Sequence, residues 1–151
     1  MKTEFVRQYG HIWRIFKALV KDFDQDTWIH TGRGTITPVR LSFHILQGVK
    51  YYLEDTSSIE FPSGKTFEGN CWEIGEKDLP NQNDILVCIG EFRVKTENWI
   101  NEMDFAAENK VFGWAGKTKF GVVLFLLRHC VYHMGELSVL RLFFWTVLRV
   151  D

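Results

Sequence analysis

Residues 126–137, LLRHCVYHMGEL, set His129 and His133 four apart and Glu136 three further on inside an otherwise apolar run. On an α-helix, positions i and i+4 share a face and lie about 6 Å apart along the axis, so both imidazoles can reach one ion. Glu136 falls at i+7 from His129, within about 20° of it around the helix. It can act as a further ligand, or as an orienting and proton-accepting group behind a ligand. The ordinary alternative is that buried histidines simply bond to carbonyls. Location argues for the ion: three polar groups flanked by Phe125, Leu126 and Leu140 are costly to bury unless satisfied, and one cation satisfies them together. Cys130 lies between the histidines, but it points about 100° away from His129 and reads as core packing.

A third ligand comes from His44, which projects between Leu41 and Gly48 at the edge of a different helix's buried stripe. Three neutral imidazoles leave one or more coordination positions open, as in catalytic rather than structural zinc. Such an ion lowers the pKa of bound water or holds a deprotonated thiol. The chain has no HExxH, and no ExxH pair of the kind used by di-iron carboxylate bundles.

Other candidates are weaker. Arg93, on the margin of an apolar stripe, can meet an anionic substrate group; snorkelling to solvent or pairing with a loop glutamate is the plainer account. His11 falls on the wet face of the first helix, and His30 sits in a loop with no partner spacing. GWAGKT resembles the end of a phosphate loop, but Val111 stands where the first glycine is required and no buried strand precedes it. TGRGT, residues 31–35, lacks the rest of a dinucleotide fingerprint.

The elements that must position these residues are helices. Residues 4–23 carry Phe5, Tyr9, Ile12, Trp13, Phe16, Val20 and Phe23 at helical spacing, opposite Arg7, His11, Arg14 and Lys21. Turn formers follow, and Thr37-Pro38 supplies an N-cap and a first-turn proline for a helix running to about Leu53. Residues 54–82 show no sustained period, but Phe61, Phe67 and Trp72 argue that the segment packs as a covering loop with a short helical turn. Asn81 or Asn83 caps a third helix striped by Ile85, Ile89, Phe92, Thr96, Trp99, Ile100 and Met103. Thr118 caps a fourth, which ends between Leu140 and Leu148; a short hairpin within NKVFGWAGK is compatible with this reading. The expected class is an all-α four-helix bundle with long connections.

At 151 residues, 46% hydrophobic and 25% charged, the chain suits a single domain with a full core. A net charge of −1 without a long basic run argues against nucleic acid as a partner. The N-terminus lacks the apolar stretch of a signal peptide, and the longest uninterrupted apolar run, 120–127, is far short of a membrane span. Cys71, Cys88 and Cys130 are odd in number and never CxxC, so reduced thiols in the cytoplasm are expected.

WIHTGRGTITPVRLSFHIL with its single helix-borne histidine, LPNQNDILVCIGEFRVKTENWI, and HCVYHMGEL together resemble the DinB-like superfamily of small bacterial four-helix proteins, over nearly the whole chain. The resemblance implies His44, His129 and His133 as ligands of a divalent metal, Zn or Ni foremost and Fe or Mn as alternatives. It also implies a thiol-dependent transferase or isomerase that joins a low-molecular-weight thiol to an electrophile. Hydrolysis by activated water is the runner-up, and a non-catalytic metal-binding stress-response or interaction protein the alternative. Two features depart from the pattern: the C-terminal RLFFWTVLRVD lacks the glycine that often follows the motif helix, and the chain ends where many relatives continue. Its apolar residues there favour a homodimer.

Overall fold

The spaced apolar stripes fold as helices in the computed structural model, which describes residues 1–30, 34 and 36–147, with side chains through Leu142. Helix α1 spans Lys2–Lys21, α2 Gln25–His30, α3 Pro38–Glu54, α4 Gln82–Glu102 and α5 Lys119–Val147. Among the described residues the fold is all-α apart from one two-stranded hairpin and isolated β-bridges. Helix α2 forms where the sequence shows only turn formers. Asp24 starts it by accepting from the Thr27 amide at 2.8 Å, and Trp28 anchors it by burial. The TGRGT segment apart from Gly34, and the C-terminal RLFFWTVLRVD side chains from Phe143 onward, lie outside the described residues.

Two helix starts follow the expected chemistry. Thr37 Oγ1 accepts from the Arg40 amide ahead of Pro38. Asn81 and Asp84 form a reciprocal capping box at the start of α4. Asp84 is 1% exposed, and its carboxylate also accepts from the Ser63 amide at 3.0 Å and hydroxyl at 2.7 Å. A buried charge is thereby satisfied while the long connection is tied to α4.

Helix α1 packs on α4 and α5, and α3 packs on α4 and α5, so the four long helices close around one core. Phe16, Leu41, Ile45, Leu46, Ile85, Ile89, Ile100, Leu126 and Leu137 are fully buried there. Each such side chain contributes about 1.5–3 kcal/mol of transfer free energy. The polar end of Tyr9 is satisfied by donating to the Val123 carbonyl at 2.7 Å.

The 55–81 connection packs as expected but holds strands as well as a helical turn. Strands β1 (Ile59–Glu60) and β2 (Thr66–Phe67) pair antiparallel, and a 3-10 turn follows at Glu76–Asp78. Phe43 of α3 receives Phe61 and Phe67 edge-on, with ring centroids 5.4 and 5.3 Å away. In the 103–118 connection the hairpin is reduced to a single bridge, Glu108 with Thr118.

Over Lys119–Leu142, α5 is long and apolar enough to cross a membrane by length and composition, with mean hydropathy 1.2. The uninterrupted run missed this because Arg128, His129, His133 and Glu136 break the run without lowering the average enough. Its Val122, Val123, Leu126, Cys130, Met134 and Leu137 are core residues of the four-helix packing.

Candidate metal centre

Helices α3 and α5 meet antiparallel, as their side-chain pairing shows. At four-residue steps along α3, His44 faces His133, Gly48 faces His129 and Tyr52 faces Phe125. The i, i+4 spacing on α5 and the helical edge position of His44 therefore converge on one point. One nitrogen from each of His44, His129 and His133 lies within 4.8 Å of the other two. Ring centroids are 4.5 Å apart for His44–His133 and His129–His133, and 5.1 Å for His44–His129.

Electrostatics suit these rings to be ligands. Burial, reinforced by repulsion from the His133 and His129 rings, pushes His44 down to about 4. His129 is also lowered to about 4, by burial first and then by His133 and Arg128. Both are neutral at pH 7, with a lone pair to offer. Behind His133, Glu136 Oε2 lies 2.7 Å from Nδ1. A carboxylate oxygen accepts, so Nδ1 is the nitrogen that donates to Glu136, and Nε2 is the one turned towards the cluster. Of the two roles open to Glu136, this geometry is that of the group behind a ligand.

Three observations test the fit to a cation. His129 Nε2 is buried with no hydrogen-bond partner. His44 Nε2 and His133 Nε2 are 3.2 Å apart, a distance at which one ring's N–H donates to the other's lone pair in the absence of an ion and at which both nitrogens can turn to a shared cation. A Cβ built on Gly48 would stand 2.7 Å from His129 Nε2, so the side-chain-free position of Gly48 is what admits the ring. The all-nitrogen donor set suits Zn, Ni or Fe better than Mg or Ca.

Sequence reasoning placed Gly48 on the inward stripe but not as the seat of His129; its position four residues after His44 was the available signal. It missed the loop residues behind His44. Cys71 Sγ is 3.6 Å from His44 Nδ1, and the Trp72 and His44 ring centroids are 5.2 Å apart. Burial pushes the Cys71 thiol up to about 11. No local spacing links residue 44 to residues 71 and 72, so only the folded chain reveals the contact.

The remaining candidates lie elsewhere. Arg93 is exposed and lines a groove of about 250 Å³ between α1 and α4 with Arg7, Arg14 and Glu97, none of them in the histidine cluster. His11 and His30 are exposed. Cys130 is 1% exposed, with its thiol raised to about 12 by burial, as befits core packing. Lys117 and Thr118 belong to a turn and a β-bridge ahead of α5, not to a strand-to-helix phosphate loop. Compared with known proteins, the chain matches no family model, no curated protein and no solved structure.

Proposed function

We propose that the protein is a divalent-metal enzyme of the DinB-like four-helix class, with His44, His129 and His133 as ligands. The observation that carries this is the convergence of three histidine nitrogens within 4.8 Å, one of them buried and unpartnered. Zn or Ni is the preferred ion, with Fe or Mn next. When bound, the ion supplies Lewis acidity, activating a low-molecular-weight thiol or water towards a small electrophile. The chain's own residues do the rest. His44 and His129 stay neutral and offer lone pairs, Glu136 holds the Nδ1 proton of His133, and Gly48 leaves room for His129. The 69–74 segment, seated on His44, forms one wall of the substrate site.

The alternative, a metal-stabilised protein without turnover, draws on the same segment, because Arg40 and Gln47 pin it down over His44. An ion with an exchangeable water favours the enzyme, and a saturated one the structural role. Leu124, Val131, Tyr132, Val139 and Leu142 form an exposed apolar face on α5 of the kind a homodimer buries; a cytoplasmic location rests on the cysteine usage alone. Arg93, which borders the groove between α1 and α4, stays a candidate for an anionic group of the substrate.

Elemental analysis of protein purified without an affinity tag tests the reading, together with His44→Ala, His129→Ala and His133→Ala. The parent should carry close to one metal per chain and each variant much less. Equal metal in parent and variants refutes the ligand set. Panels of thiols and electrophiles that show no metal-dependent conjugation or hydrolysis refute the enzyme in favour of the non-catalytic reading.

A further inference from the structure

His133 and His44 are both oriented from behind, but by different groups. The first has the Glu136 carboxylate; the second has the sulfur of Cys71, delivered from a segment 27 residues away in sequence. That delivery is built into α3. Arg40, four residues before His44, donates to the Cys71 carbonyl at 2.9 Å and the Ile74 carbonyl at 2.6 Å. Gln47, three residues after it, donates to the Gly69 carbonyl at 2.9 Å and the Ser57 carbonyl at 3.3 Å. The segment is held on both sides of His44, with the Trp72 ring beside the imidazole and Cys71 2% exposed beneath it.

We infer that Cys71 is the positioning residue of His44: its sulfur accepts the His44 Nδ1–H, which turns Nε2 towards His129 and His133. The inference rests on the metal-centre reading above. An imidazole that coordinates through Nε2 carries its hydrogen on Nδ1, and that hydrogen needs an acceptor in a buried setting. Cys71 Sγ, at 3.6 Å, stands in that place. Neutral sulfur is a weak acceptor beside a carboxylate, so His44 is held less firmly than His133. Cys88 and Cys130 are equally buried on the core faces of α4 and α5, so burial alone does not set Cys71 apart; its contact with a ligand ring does.

The test is Zn²⁺ affinity, measured by competition with a chromophoric chelator, for the parent, Cys71→Ala, Cys71→Ser, His44→Ala and the Cys71→Ala/His44→Ala pair. Loss of an outer partner typically weakens metal binding about 10–100-fold, and the weak sulfur acceptor places Cys71→Ala near 10-fold. Cys71→Ser, which keeps an acceptor, should recover most of that loss. In the His44→Ala background, Cys71→Ala should cost nothing further, because the partner it orients is gone. In ¹H–¹⁵N spectra of the zinc-loaded protein, the His44 Nδ1 proton should exchange faster in Cys71→Ala than in the parent. Unchanged affinity and exchange in Cys71→Ala, or an equal loss in the His44→Ala background, overturns the inference while leaving the metal centre standing. A parent that binds no Zn²⁺, Ni²⁺ or Fe²⁺ overturns both.

Discussion

Gly48→Ala separates the fold of this protein from its metal chemistry, because the added methyl acts on the two in opposite directions. In an exposed helix, replacing glycine with alanine stabilises by about 1 kcal/mol, through chain entropy. At residue 48 the new Cβ would lie 2.7 Å from His129 Nε2, 3.2 Å from Cδ2 and 3.5 Å from Cε1. Restoring ordinary contact requires the ring tip to retreat by about 0.7 Å, the difference between 2.7 Å and a normal approach of about 3.4 Å. Metal–imidazole bonds near 2.0–2.1 Å tolerate only about 0.2 Å of displacement, so His129 drops out of the coordination set. Losing a direct ligand costs at least as much as losing an outer partner, so affinity should fall by about 100-fold or more. Chelator competition measures that fall, and thermal unfolding of the metal-free protein measures the fold, with a melting temperature at or slightly above the parent's. A Gly48→Ala protein that binds metal as tightly as the parent refutes the reasoning, since the ring then had room to spare.

Glu136→Gln should weaken metal binding about 10-fold and Glu136→Ala more, with little change in the metal-free melting temperature, because the carboxylate acts on the His133 ring and not on the core; isothermal titration decides it. The metal-free protein should also be acid-sensitive in a defined window. His44 and His129 have folded-state values of about 4 against an ordinary 6.5, so below pH 6.5 the unfolded chain takes up protons that the folded chain refuses. Stability should be level in these groups' contribution above pH 7, fall between about 6.5 and 4, and level off beneath. Urea midpoints across that range check the sign, and a parallel fall in a His44→Ala/His129→Ala protein would remove the cause. Asp84→Ala should destabilise by about 3 kcal/mol, the sum of a lost capping box and charge-assisted bonds to Ser63, as read by denaturant titration.

Helices α1, α3 and α4 were legible because they carry a periodic stripe, and α3 and α4 also a local start signal; α5, apolar on nearly every side, was legible by its length. Thr37-Pro38 and Asn81 with Asp84 are both within a few residues of the atoms they bond, so they could be read from order alone. The short α2 was not, since six residues cannot show a period and Trp28 earns its place only by packing. The β1–β2 pair escaped for a similar reason: two-residue strands have no alternation to detect, and Phe61 and Phe67 are fixed by Phe43 of α3. The reach of α5 as an apolar segment was underread because a run counts interruptions, whereas transfer free energy sums over the whole helix.

The same division holds at the histidines. Sequence alone determined that His129 and His133 share a face and that Glu136 follows one turn behind, because helical periodicity places residues within a single element. Tertiary structure decided that His44 meets them, that Gly48 makes the space, and that Arg93 stands apart in another groove. It also decided that Cys71 and Trp72 back His44, through two side chains of α3 that grip loop carbonyls. Contacts across 20 or more residues depend on how elements dock, and docking is a property of the whole buried surface rather than of any local spacing.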